Sequence, residues 1–193
     1  VKYVHGLLQG RMTSPATTPK TTLTFTGYPL PKITDHDDGS WVEGKPIELF
    51  DGKDFKGWMG VNMPEAKGWS AENGLLKCAG NADDLITEKK YWNFKLHVEY
   101  RLGEKSNSGI GLRGRYEVQI MADYGRPPAI HGTGSLVSRI APGVNAGKPA
   151  GEWNTYDIRL VGLEVTTVLN GKTLYKKAVI DGSEKLICDL STD

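Results

Sequence analysis

Two groups of polar residues in this sequence have the types and spacing to do chemistry together. From Asn107 to Asp123 the chain reads N-S-G-I-G-L-R-G-R-Y-E-V-Q-I-M-A-D. A period of two puts Ile110, Leu112, Tyr116, Val118 and Ile120 on one face, and Arg113, Glu117 and Gln119 on the other. The second group lies in Phe94–Leu102, where Lys95, His97, Glu99 and Arg101 alternate with Phe94, Leu96, Val98, Tyr100 and Leu102. If the two segments are neighbouring strands with their apolar faces on a core, the polar faces merge into one patch. Glu117 is then the favoured carboxylate, because Arg113 across the turn is a charge partner able to tune it. Glu152, after a Pro-Ala-Gly loop and ahead of Trp153 and Asn154, is the other candidate. Plainer readings stand beside these. A half-exposed antiparallel strand carries polar residues outward anyway, and Glu99 with Arg113 reads equally as a cross-strand ion pair. His97 reads first as a half-buried sheet residue, and Glu152 as a strand-start residue bonded to loop amides.

Other machinery is missing. There is no Gly-rich phosphate loop, no G-x-S-x-G elbow and no H-E-x-x-H. The four histidines, at 5, 36, 97 and 131, would have to come from remote regions to share a metal. Asp35, Asp37 and Gly39 faintly echo a calcium loop but lack the later bidentate Glu. No cofactor is called for, and no ligand spacing demands a divalent cation. A net charge of +1 with no basic block gives no pointer to nucleic acid or an anionic membrane, and no apolar run approaches a spanning helix. Cys78 and Cys188 pair only in an exported protein; otherwise they read as buried thiols.

The elements that must position these residues are strands. With 24 Gly, 10 Pro and 38% hydrophobic residues, the 193-residue chain reads as a turn-rich all-β domain, and no stretch holds helical periodicity over three turns. Asn73-Gly74 and Asn170-Gly171 each sit between alternating runs, a strong hairpin signal. Strands are expected at Ile47–Phe50, Leu85–Glu88, Phe94–Leu102, Trp153–Val161, Glu164–Leu169 and Lys172–Tyr175, with a further candidate near Ser135–Ile140. Residues 123–151 form a long Gly/Pro-rich loop of the kind that often binds ligands. Residues 1–45, with a short strand at Thr22–Thr26, are too short for a core of their own. They read as an N-terminal extension, either the tail of an upstream domain or a strand pair docked on the main domain, which occupies 46–193. The chain opens on Val, which fits a processed or trimmed product. The whole pattern predicts an antiparallel sandwich.

One series of segments carries a family resemblance: L-F-D-G-K-D-F-K-G-W (49–58), W-S-A-E-N-G-L-L (69–76), L-I-T-E-K-K-Y (85–91), F-K-L-H-V-E-Y-R-L (94–102), N-S-G-I-G-L-R-G (107–114), Y-E-V-Q-I (116–120), N-A-G-K-P-A-G-E-W-N-T-Y-D-I (145–158) and L-N-G (169–171). In content and order it resembles the 3-keto-disaccharide hydrolase family, over about residues 46–181. The resemblance implies an antiparallel jelly-roll sandwich similar to concanavalin A-like lectins and glucanases. It also implies cleavage of glycosidic bonds in sugars oxidised at C3, an oligosaccharide or glycoside as substrate, and a secreted or periplasmic location. A C3 ketone acidifies the C2 proton, so a base can start an elimination that expels the C1 substituent before water adds back. The catalytic candidates are Glu117, Glu99 and His131. The substrate-binding candidates are Asn107, Arg113, Gln119, Glu152, Trp153 and Asn154. A direct hydrolase would need two carboxylates about 5 to 9.5 Å apart, and Glu99 with Glu117 is the pair to measure. Trp58, Trp69 and Trp153 are aromatic enough to stack on sugars, though core packing is the commoner role. A non-catalytic carbohydrate-binding module is the alternative on the same fold, and an interaction domain of a larger protein is a third reading.

The sequence departs from the family in two places. Members usually continue past the last hairpin through a G-D-H-G-like element into further strands, whereas Leu186–Leu190 is followed here by three residues. Trimming or a different closure is expected. The family's G-A-I-Y-G is here Gly134-Ser-Leu-Val-Ser138, which alters that wall of the pocket.

Overall fold

The computed structural model describes residues 2–4, 7–13, 22–29, 36–62, 66–180 and 186–192. Among them are fourteen strands and no helix. In chain order these are β1 (Lys2–Val4), β2 (Leu7–Thr13), β3 (Thr22–Pro29), β4 (Trp58–Gly60), β5 (Trp69–Glu72), β6 (Leu75–Cys78), β7 (Leu85–Thr87), β8 (Phe94–Arg101), β9 (Asn107–Leu112), β10 (Tyr116–Met121), β11 (Trp153–Val161), β12 (Glu164–Leu169), β13 (Lys172–Val179) and β14 (Leu186–Thr192). All pairings are antiparallel.

Two layers make the sandwich. One is the sheet β13-β12-β11-β8; the other is the β9–β10 hairpin. Strict alternation in β11 and β12 turns Tyr156, Ile158, Leu160, Val165 and Leu169 inward, where they meet Leu112, Tyr116, Val118 and Ile120 of the hairpin. Seven aliphatic side chains here, Leu112, Val118, Leu136, Ile158, Leu160, Val165 and Leu169, have no exposed surface. Each contributes about 1.5–3 kcal/mol by leaving water. The two Asn-Gly turns behave as their sequence predicts. Asn73 and Gly74 (φ 53° and 77°) join β5 to β6, and Asn170 and Gly171 (φ 50° and 78°) join β12 to β13. Both residues of such a turn need positive φ, which Asn and Gly tolerate.

Several expectations shift. Ile47–Phe50 is irregular, and residues 135–140 form a turn that pairs with β10 at the isolated Val118–Leu136 bridge and lays Arg139 over the Tyr116 ring. β13 runs on to Val179 and β3 to Pro29. β14 pairs with β3 in a four-stranded sheet of order β1-β2-β3-β14, so that sheet draws on both the N-terminal segment and the last strand.

The larger correction concerns the merged patch. β8 pairs along its length with β11, from Trp153 opposite Arg101 to Leu160 opposite Phe94, and lies in a different layer from β9. His97, Glu99 and Arg101 therefore face outward from one layer, and Glu117 faces outward from the other. The core separates them.

A strap crosses the outward face of the larger sheet. Asp37 is held by the Arg159 guanidinium and has Lys177 Nζ at 3.7 Å. Lys177 also donates to the Asp37 carbonyl at 2.9 Å and lies 3.6 Å from Glu164. Arg159 packs over the Trp41 ring at 5.2 Å, and Lys95 reaches Glu43 at 3.3 Å. The hydrogen bond from Arg159 lowers the Asp37 pKa below its ordinary 3.8 against the opposing effect of desolvation. Of the calcium-loop echo, Asp35 lies outside the described residues, and Asp37 is committed to these cations.

Candidate active site

The outward side of the β9–β10 layer is unusually bare. Gly111 lies opposite Glu117 and Gly109 opposite Gln119, so no β9 side chain crowds the two polar residues of β10. Glu117 uses that room. Its side chain lies over Gly109, where an added Cβ would overlap the carboxyl group and come within 2.6 Å of Cγ and Cδ. The carboxylate is exposed and has no hydrogen-bond or ion-pair partner among the described residues. An unpaired carboxylate on a rigid strand can accept a proton from a bound molecule without first breaking an ion pair.

Gln119 is anchored from behind and roofed in front. The Tyr156 hydroxyl crosses from the other layer and donates to the Gln119 carbonyl at 2.8 Å. Burial pushes the Tyr156 pKa up, and that of Tyr100, stacked on it at 5.4 Å, to about 12, so the donor keeps its proton at neutral pH. The Gln119 side chain, 6% exposed, donates from Nε2 to the His131 carbonyl at 3.2 Å. This bond brings the long loop over the strand at His131, an exposed residue. The loop is pinned at Asp123, which accepts from Thr133 N–H at 2.9 Å and from the Asn145 amide at 3.2 Å. Thr133 Oγ1 donates to the Met121 carbonyl at 2.7 Å. Beside β10, Gln119 N–H donates to Ser135 O and Val137 N–H to Glu117 O, both at 3.0 Å. Asn107, opposite Met121, stands exposed at the start of β9. Glu117, Gln119, His131 and Asn107 thus share one side of the molecule.

Other candidates fall elsewhere. Arg113 lies in the β9–β10 turn, with φ of 56°, and folds back onto the body of the domain. Its Nε donates to Trp92 O at 2.8 Å, NH1 to Gly162 O at 2.8 Å and NH2 to Asn93 Oδ1 at 3.5 Å, while the guanidinium stacks 4.2 Å from the Trp92 ring centroid. Burial lowers its pKa to about 10, which leaves it cationic at neutral pH. It is a clamp, not an outward-facing donor beside Glu117, and it makes no ion pair with Glu99. Asn154 is buried and engaged at both ends of its amide: its Oδ1 accepts from Lys148 N–H at 2.9 Å and Asn170 Nδ2 at 2.8 Å, and its Nδ2 donates to Glu152 O at 3.2 Å. Alternation from the outward Trp153 turns it toward the core. Trp153, 43% exposed, lies under Arg101 at 5.3 Å on the opposite outer face, with Glu99 on the same face and Glu152 exposed just ahead of it. His97 there binds Asp157 at 2.8 Å. Trp58 and Trp69 are part-buried and donate to Leu49 O (2.5 Å) and Asp83 O (2.6 Å), as structural residues do.

Ser135, whose carbonyl accepts from Gln119 N–H, is not among the sequence candidates. Cys78 is a free, exposed thiol; the Cys188 side chain lies outside the described residues. Among the described residues, no three His, Cys, Asp or Glu side chains cluster to hold a metal ion, and no helix is long and apolar enough to cross a membrane.

Comparison with known proteins agrees with this frame. Residues 45–187 match the family described as 3-keto-alpha-glucoside-1,2-lyase-like domain. A 3-keto-disaccharide hydrolase of Bacteroides thetaiotaomicron is 35% identical over 74 residues, which cover 33% of this chain and 26% of that relative. Two crystal structures of Parabacteroides distasonis proteins assigned as glycosyl hydrolases superpose with TM-scores of 0.63 and 0.59, at 32% and 29% identity. They cover 69% and 71% of this chain, and 65% and 72% of theirs. A third from the same organism, at 22% identity and TM-score 0.51, shares the fold. The chain therefore spans about a quarter of the curated relative and just under two thirds of the first structure. Its fold is the antiparallel jelly-roll sandwich, and the chain belongs to the 3-keto-alpha-glucoside-1,2-lyase-like domain family.

Proposed function

We propose that this domain cleaves the glycosidic bond of 3-keto-disaccharides on the outward side of β9–β10, with Glu117 as the base. The observation that carries this reading is the free Glu117 carboxylate over the bare Gly109 strip, next to a roofed Gln119. Glu117 removes the C2 proton, and the electron pair passes to the C3 carbonyl as an enolate. When the carbonyl re-forms, the C1–O bond breaks and the departing oxygen takes a proton. Water then adds across C1 and C2, which yields the 3-keto-monosaccharide and the released sugar. The exposed Asn107 amide is the donor for the enolate oxygen, and the His131 imidazole on the roof serves the leaving oxygen. The two-carboxylate alternative loses its support, because Glu99 and Glu117 stand on opposite outer faces.

The test is release of free sugar from a 3-keto-disaccharide. Glu117→Gln keeps the size and polarity of the side chain and is expected to abolish turnover with unchanged thermal unfolding. Wild-type rates in that variant would remove Glu117 from the mechanism. One observation favours a binding-only reading: the exposed Trp153 with Arg101 stacked on it is an aromatic platform on the other face. Sugar binding that depends on Trp153, without any turnover, would establish that reading instead.

A further inference from the structure

Two polar atoms on the outward side of the β9–β10 layer are buried without a partner, Gln119 Oε1 and Ser135 Oγ. Gln119 is 6% exposed and Ser135 0%. The Gln119 amide nitrogen already serves the His131 carbonyl, so the orphaned atom is its acceptor oxygen. Backbone pairing sets the two residues side by side. Gln119 N–H donates to Ser135 O at 3.0 Å, and the next residue, Leu136, turns into the core beside Val118. By alternation the Ser135 side chain leaves on the Gln119 side. Native proteins leave few buried polar atoms unpaired, so two at paired positions call for a partner, a bound hydroxyl or a water. Packing alone would have been met by alanine at 135.

We propose that Gln119 and Ser135 form a notch for a sugar hydroxyl, which enters when the roof over it, residues 129–132, lifts. The chemistry is matched: a hydroxyl donates to Gln119 Oε1 and accepts from Ser135 Oγ–H. The roof is lightly held at its outer end. Its ties there are the 3.2 Å bond from Gln119 to His131 O and a 3.3 Å bond from Ser138 N–H to Ile130 O. Ile130 is 43% exposed and His131 is exposed, so lifting this end uncovers little that is now buried. The inner end is fixed by the two short bonds of Thr133 to Asp123 and Met121, which makes Thr133 the hinge. The inference rests on the proposed glycosidase reading and deepens it. The notch adjoins Glu117 along β10, so it reads a hydroxyl near the reacting carbon and sets which sugar is held.

A water molecule offers the same donor and acceptor as a hydroxyl, and Ser135→Ala separates the two. Removing an unpartnered hydroxyl is expected to raise the sugar-free Tm by about 2–4 °C. It is also expected to raise KM for the 3-keto-disaccharide about tenfold with kcat within twofold, the mark of lost substrate binding. An unchanged or lower Tm means that a resident water satisfies the pair, and the proposal falls. An unchanged KM overturns it equally. Failure of the glycosidase reading looks different, since wild-type protein would then give no turnover. In that case calorimetry with the 3-keto-disaccharide and its parent disaccharide decides. Binding about tenfold weaker in Ser135→Ala supports the notch; equal binding, or none to wild-type protein, overturns it.

Discussion

Arg113→Ala distinguishes a clamp from a substrate donor. The guanidinium makes two 2.8 Å bonds to the carbonyls of Trp92 and Gly162, a longer one to Asn93, and a stack on the Trp92 ring. A hydrogen bond to a charged group is worth about 1.5–3 kcal/mol, and a partly desolvated cation–π contact about 0.5–1 kcal/mol. Taking the low end of each for a part-buried side chain, the loss comes to about 3–4 kcal/mol. In a domain of this size that corresponds to a fall in Tm of about 10 °C. Lysine cannot reproduce the fork or the flat stack, so Arg113→Lys should recover less than half of it. Urea unfolding followed by circular dichroism measures the stability, and sugar release at 25 °C measures turnover per folded molecule, which should stay within about threefold of wild type. A variant with unchanged unfolding but no turnover would refute the clamp and return Arg113 to the substrate.

Two further predictions test the site and the strap. Gly109→Ala places a Cβ where the Glu117 carboxyl lies; the flexible carboxylate swings aside at little cost to folding, and a displacement of about 1 Å should lower kcat about 100-fold. Full activity in that variant would show that the observed Glu117 position is not the working one. For the strap, the Asp37 carboxyl has its pKa lowered from 3.8 by Arg159, so its contribution is present above the unfolded value and lost as pH falls through the lower folded value. The exchange protection factor of the Gly39 amide, which donates to Asp37, should therefore stay flat from pH 7 to about 4.5 and fall only below about 4. Release already at pH 5–6 would mean that another group holds the strap.

Much of this architecture is legible in the residues. The alternation of Phe94–Arg101 and Trp153–Val161 assigns inward and outward faces, because each strand has one face on the core. The Asn-Gly turns place two hairpins. What period two cannot give is the partner. β8 and β9 are neighbours in sequence, yet they lie in different layers because β8 pairs with β11, more than fifty residues on. A pattern confined to each strand leaves that choice open, and the merged patch failed on it. Arg113 shows a second limit. Alternation was read straight through a turn, but Arg113 and Gly114 both have positive φ, which breaks the count and sends the side chain backward. Asn154 is polar, yet its position one residue past an outward Trp153 points it inward. Ser135 gives no pattern to read, because it lies in a turn segment that joins β10 by an isolated bridge and not by a run of alternating strand.

The Tyr156 hydroxyl works as a gauge between the two layers. It springs from the centre of the larger sheet and ends on the backbone of Gln119, so the spacing of the layers is transmitted to the strand that displays Glu117 and the polar notch. Changes deep in the core, at Ile158 or Leu160 for instance, reach β10 through this bond without approaching its outward face. The packing of the interior and the placement of β10 are thereby tied at one point.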